Sequence, residues 1–299
     1  MEKIKDLLIL HKKAAIAAAV VILVILGIFL FSRKSTSNSS APVEEVDLAF
    51  DAQGPYATLF PRRDGNALVL NLKRTSSYDA ITYELAYTSK ADEIAVKGNN
   101  VSDSGDGAAP GGAIDRGVQG TIDTKDKKGE YEQEILFGTC SKNVCKYDQG
   151  VENGTLTLHI RKGDKAYKMS TQWHIQKPDV ALGVITSGDG HLTYKTDADR
   201  QALSNVGFTI VNDLTGVPKL PGDKQVSGKV YSLNVPIAKD FPAGTVSFET
   251  AETPSADAKL YRYNPSKSDW EALDSKTEGS TLKASATGAG IFAVLTAKK

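Results

Sequence analysis

The stretch AAIAAAVVILVILGIFLF, Ala14 to Phe31, runs for 18 residues without a charge. As a helix it would rise about 27 Å, close to the ~30 Å hydrocarbon core of a bilayer. Lys12 and Lys13 bound it on one side, Arg33 and Lys34 on the other. Both pairs can reach the interfaces along their aliphatic stems. A cleaved signal peptide has a shorter apolar run with a small-x-small site close behind it. Here charge follows at once, and Ser39-Ser40-Ala41 comes later, with Pro42 directly after. The run therefore reads as a retained transmembrane helix, a signal anchor. Lys3, Lys5, Lys12 and Lys13 dominate residues 1–13. The positive-inside rule makes those residues a cytoplasmic tail and sends the remainder outward. The expectation is a single-pass plasma-membrane protein with its N-terminus cytoplasmic and the bulk of its chain extracytoplasmic. Residues 32–45, rich in serine, cannot bury apolar area and read as a flexible linker.

That topology sets the chemistry of the cysteines. GTCSKNVCKY holds both of them, Cys140 and Cys145. Outside the cytoplasm, two close cysteines pair by default. YEQEILFG before them and GTLTLHIRK after them alternate and are β-rich. The spacing C-x4-C then fits two sides of a hairpin, with Ser141 to Val144 as the loop. A zinc site needs three or four ligands, and the chain has no third Cys. A redox pair more typically takes the form C-x2-C at a helix N-terminus. The expectation is a Cys140–Cys145 disulfide.

Past the linker the pattern is strand, turn, strand. VDLAF, YATLF, ALVLNLK, AITYELAYT, EYEQEILF, TLTLHIR and AYKMSTQWHI suit strands. Turn signals such as Asp64-Gly65-Asn66 and Lys162-Gly163-Asp164 separate them. In AITYELAYT, alternation puts Ile81, Tyr83, Leu85 and Tyr87 on one face. Roughly seven to nine strands in about 130 residues is the spacing of an immunoglobulin-like sandwich. Lys177-Pro178-Asp179 is a candidate boundary, after which a second β-rich series runs from VALGVIT to GIFAVLTA. One short helix is expected in DADRQALSN, with Asp197 as its N-cap. The fold class is all-β: the transmembrane helix at 14–31, an Ig-like β-sandwich at 46–177 and a second β-sandwich at 178–299.

The segment LYRYNPSKSDWEALDSKTEGSTLKASATGAGIFAVL has an aromatic hairpin, a Trp beside its turn, and a Gly-aromatic last strand. It resembles the closing part of ZU5-like bacterial surface modules. The whole chain resembles bacterial single-pass surface proteins with β-sandwich ectodomains. The resemblance implies a fold class and a surface location, and it supplies no catalytic residue.

Charge and motifs narrow the function. Lys+Arg and Asp+Glu number 36 each, so no global charge argues for nucleic acid. P-loop, Rossmann, G-x-S-x-G and H-E-x-x-H signatures are absent from the sequence. His159 and His174 alternate with apolar neighbours and read as solvated sheet residues, and His191 lies at a turn. Tyr261, Tyr263 and Trp270 could form a ligand-stacking platform or pack in the core. The loop 97–117, with Asp103, Asp106 and Asp115, permits calcium without matching an EF-hand. No other cofactor is implied. The expected role is non-catalytic: binding, adhesion or envelope structure, with envelope polysaccharide or another surface protein as partner. The alternatives are a membrane-tethered enzyme acting on cell-wall glycan and an accessory subunit of a secretion or pilus assembly.

Overall fold

Alternating side chains dominate the structure, a computed structural model that describes residues 44–73, 78–90, 112–124, 129–142 and 144–298. The predicted span at 14–31 lies outside the described residues. Among the described residues, no helix is long and apolar enough to cross a membrane. The first half of the described chain forms β1 (Glu45–Asp47), β2 (Tyr56–Pro61), β3 (Ala67–Lys73), β4 (Ala80–Lys90), β5 (Ala113–Ile122), β6 (Tyr131–Leu136), β7 (Gly138–Ser141), β8 (Val144–Tyr147), β9 (Asn153–Lys162) and β10 (Lys165–Gln176). The second half begins with β11 (Val184–Thr186), β12 (Leu192–Lys195), a short helix α1 (Arg200–Val206), β13 (Thr209–Asp213), β14 (Lys224–Asn234) and β15 (Gly244–Glu249). It closes with β16 (Lys259–Asn264), β17 (Asp269–Ala272), β18 (Lys276–Glu278), β19 (Thr281–Ala286) and β20 (Gly290–Ala297).

One large sheet runs in the order β17-β16-β20-β14-β13-β10-β9-β4-β5, with β1 pairing β10. Three smaller sheets are β2-β3-β6, β11-β12-β15-β19-β18 and the hairpin β7-β8. Register decides which face each small sheet covers. Trp173 lies opposite Asn212 and Ile175 opposite Ile210, so these four share a face. On that face Leu59, Leu70, Leu85, Leu158, Trp173 and Ile210 form one core under β2-β3-β6. Val211 and Leu233 are paired and point the other way. There they pack with Val246, Phe248 and Leu282 of the five-stranded sheet. The two small sheets therefore cover opposite faces of the large one. Over β4 the covered face buries Ile81, Tyr83, Leu85 and Tyr87, as the alternation predicts, while Thr82, Glu84, Ala86 and Thr88 stay exposed.

Lys177–Asp179, read as a candidate boundary, lies in the turn between β10 and β11, inside the one compact unit Glu44–Lys299. Across it the cover changes face, while β10–β13 pairing carries the large sheet on unbroken. Helix α1 is capped by Asp199, whose Oδ1 accepts from the Ala202 N–H at 2.8 Å, and not by Asp197. Only the residue directly before the first turn can reach that amide.

β2 has a strand neighbour on one side, β3. Its other side meets two buried asparagines. Asn212 Nδ2 donates to the Ala57 carbonyl at 2.8 Å, and the Leu59 N–H donates to Asn212 Oδ1 at 3.3 Å. Asn234 Nδ2 donates to the Leu59 carbonyl at 2.8 Å. Side chains of β13 and β14 thus do for β2 what a neighbouring strand would do, satisfying buried backbone groups.

Candidate functional site

Cys140 and Cys145 form the predicted disulfide, directly opposite one another with Cα atoms 4.0 Å apart. Ser141 pairs with Val144, so the connection is tighter than the four-residue loop expected from spacing. No residue of β7 or β8 is buried. Val144, near the tip, is 74% exposed.

The base of this hairpin is held by two charged clusters. Arg62 donates to both carboxylate oxygens of Asp64 at 2.8 Å and to Glu134 at 2.8 Å. Its guanidinium carbon sits 5.3 Å from the centre of the Tyr147 ring. The bidentate Arg62 holds the Asp64 carboxyl below the usual range. On the other side, the Tyr87 hydroxyl donates to Asp148 Oδ2 at 2.7 Å, and Arg116 Nε lies 3.5 Å from Asp148 Oδ1. Burial, reinforced by that bond, pushes the Tyr87 hydroxyl above its ordinary range. Between them Phe137 packs edge-on to Tyr87, with ring centres 5.2 Å apart, and stacks on Trp173 at 5.5 Å.

Beside the base opens a cleft of about 440 Å³. Ile175, Ala181 and Phe208 give it apolar wall, while Asn66, Gln149, Glu152, His174 and Gln176 give it polar groups. Lys177 Nζ stands 5.1 Å over the Phe208 ring. His174 Nδ1 is 2.6 Å from Asn153 Oδ1. Burial lowers the His174 pKa against the pull of Glu152, which favours a neutral ring donating to that oxygen. Among the described residues no Ser, Thr or Cys lines the cleft. It can hydrogen-bond and desolvate a ligand. Val180, which lines it, is 67% exposed. Sequence reading missed this site because its walls come from the end of β10 and from loops far apart in sequence.

A second polar cluster also escaped it. Asp189 Oδ1 accepts from the Ser187 hydroxyl at 2.6 Å, and Oδ2 accepts from Lys229 Nζ at 2.8 Å and the Tyr231 hydroxyl at 2.6 Å. Burial works to raise the Asp189 pKa, but these donors prevail and hold it low. Nearby Asp213 Oδ1 accepts from the Gln172 N–H at 2.7 Å and the Thr171 hydroxyl at 2.9 Å. Here burial wins and pushes the carboxyl up. The turn SGDGHL and the Asp closing β13 carry the only sequence hint.

The other predicted residues fall as follows. Tyr263 pairs with Trp270 across β16–β17, their rings 5.4 Å apart. Trp270 is buried, its Nε1–H donating to the Lys219 carbonyl at 3.2 Å. Tyr261 and Tyr263 pack half-buried against the same cluster. Asp115 lies on β5 opposite Thr88, whereas Asp103 and Asp106 lie outside the described residues. Among the described residues no three His, Cys, Asp or Glu side chains come together in a metal-holding group. His159 Nδ1 is 2.8 Å from Glu45, and His191 Nδ1 is 3.7 Å from Glu249.

No family model matches the chain, and no curated protein does. The chain is similar to the crystal structure of dimeric latent PorU from Porphyromonas gingivalis at 9% identity and a TM-score of 0.18. The match covers 82% of this chain and spans 29% of the length of that one. At that score the likeness carries no argument.

Proposed function

We propose that this is a membrane-anchored, extracytoplasmic protein whose role is non-catalytic binding or adhesion in the cell envelope. In this reading residues 46–177 and 178–299 are two sandwich domains of immunoglobulin-like kind joined through the large sheet. They stand outside on the 32–45 linker behind an anchor at 14–31. The ligand surface is the stapled hairpin together with the cleft at its base.

The observation that carries the reading is the hairpin. Its strands bury nothing, and a two-stranded hairpin alone is marginally stable in water. A covalent link across such an element preserves the shape of what it presents. Disulfides persist in oxidising compartments, which supports the outward placement. The polar cleft and its exposed Val180 give a ligand both hydrogen bonds and apolar contact.

The test is binding of the purified chain to immobilised envelope polysaccharides and surface proteins. Val144→Asp and Glu152→Lys are expected to weaken binding about tenfold or more, equivalent to roughly 1.4 kcal/mol, with unchanged thermal midpoints. Binding unaffected by either substitution contradicts the site. A second reading, glycan cleavage, would use two part-buried carboxyls close enough to feel each other's charge, Asp189 beside Lys229 and Asp213 beside Thr171, as its acid and base. Glycan turnover abolished by Asp213→Asn would replace the binding reading.

A further inference from the structure

We propose that the Cys140–Cys145 disulfide is a reducible switch, opened by a dithiol reductant and closed again by oxidation, so that the Val144 tip is presented only in the linked state. Such regulation rests on the reading of the hairpin as part of the ligand surface.

Both cysteines are exposed, as are Thr139, Ser141, Val144 and Lys146 around them. Side chains alternate across a strand pair. Thr139 and Lys146 are paired and line a cleft of about 350 Å³ with Gly117 and Val118 of β5. The Cys140–Cys145 pair therefore lies on the other face, where a thiolate can reach its sulfurs. Exposed disulfides are the labile and regulatory ones, whereas structural ones resist reduction. From Gly138 to Tyr147 the sequence carries Lys142 and Lys146 and no acidic residue. Local positive charge favours both the thiolate that attacks and the thiolate that leaves.

The exchange is balanced by the dithiol alone. One of its thiolates attacks the Sγ of one cysteine, the S–S bond breaks, and its electron pair leaves on the Sγ of the other, which takes a proton. The second thiolate of the reductant then displaces the first cysteine from the mixed disulfide. The protein gains two thiols, and the dithiol is oxidised to its own disulfide.

The contacts at the base of the hairpin limit what this opening loosens. Phe137 is fully buried, its N–H donates to the Asn66 carbonyl at 2.9 Å, and its carbonyl accepts from the Asp148 N–H at 3.0 Å. The Tyr87 hydroxyl holds the Asp148 carboxylate. None of these contacts depends on the disulfide. Beyond them no residue of β7 or β8 is buried, and a two-stranded hairpin alone is marginally stable in water. Reduction therefore frees Thr139 to Lys146 and leaves the 440 Å³ cleft, whose lining resumes at Asp148, in place.

The test is thiol counting by mass spectrometry on the full chain in detergent micelles, equilibrated in a series of glutathione buffers from oxidised to reduced. Cys140 and Cys145 are expected to pass from linked to free within the series and to return when the buffer is re-oxidised. Hydrogen exchange within 139–146 is expected to rise about tenfold or more on reduction, while exchange in β9 and β10 and the thermal midpoint stay unchanged. A disulfide still closed in the most reducing buffer, exchange within 139–146 indifferent to reduction, or protection lost in β9 and β10 as well overturns the proposal. Neither readout uses a ligand. A switch that fails leaves the binding site standing, and a chain that binds no envelope polymer in either redox state fails the binding reading alone.

Discussion

The side-chain amide of Asn212 holds the carbonyl oxygen of Ala57 at 2.8 Å, across 155 residues of sequence. Through this contact and its partner at Asn234, the edge of β2 is closed against the large sheet without a strand beside it. Asn212 is 1% exposed, so its loss would strand the Leu59 N–H and the Ala57 carbonyl away from water. Asn212→Ala is expected to cost about 2–3 kcal/mol, given roughly 1–3 kcal/mol per buried unsatisfied group. Urea unfolding measures it. A loss under about 0.5 kcal/mol would mean that β2 is secured by packing alone.

Breaking the staple should act locally. The loop closed by Cys140 and Cys145 is short, and the chain-entropy contribution is about 2 kcal/mol. Because no residue of the hairpin strands is fully buried, Cys140→Ser with Cys145→Ser should abolish hydrogen-exchange protection within 138–147 and leave the main unfolding transition nearly in place. A large drop in that transition would show the hairpin to be part of the core.

Asp189 and Asp213 should give opposite pH signatures. The folded-state pKa of Asp189 is depressed, so its stabilisation is full above the unfolded value and is lost as pH falls through the folded value. The folded-state pKa of Asp213 is raised, so its ionisation disfavours the fold as pH rises from the unfolded value through the folded one. Asp189→Asn should therefore destabilise at neutral pH by about 1–3 kcal/mol and flatten the acid limb. Asp213→Asn keeps an acceptor for Gln172 and Thr171 and should be neutral or stabilising at neutral pH. Thermal midpoints from pH 8 down to about pH 1, far enough below the usual carboxylate range to follow the loss at Asp189, separate the two.

Gly154 lies where the Trp173 ring crosses β9. A Cβ there would overlap that ring and the Ala86 carbonyl oxygen. Gly154→Ala is expected to cost about 1–3 kcal/mol through overpacking and to shift tryptophan fluorescence. An unchanged spectrum and midpoint would contradict the packing described around Phe137 and Trp173.

Most strands, their buried faces and the disulfide were legible in the sequence because each is local, although residues 113–117, read as the end of the loop 97–117, begin β5. Alternation in AITYELAYT names its inward residues directly, and C-x4-C within β-rich flanks implies a closed hairpin. Alternation says which side of a strand is covered, but not by what. Hence Lys177-Pro178-Asp179 marked a break in the sequence without showing that the cover switches there between the two faces of the large sheet. Asn212 and Asn234 are hidden in the same way. Each is a polar residue on an inward position of an apolar strand, a signal that something is clamped without saying which backbone. The cleft was illegible because Asp64, Glu152, His174 and Phe208 come together only through long-range pairing.

The most direct measurement is thiol labelling of intact cells with a membrane-impermeant reagent, with and without an impermeant reductant, read by mass spectrometry. The account predicts that Cys140 and Cys145 label only after reduction and otherwise occur in one linked peptide. Free labelling without reductant, or no labelling even after it, would contradict an extracytoplasmic, disulfide-stapled binding surface.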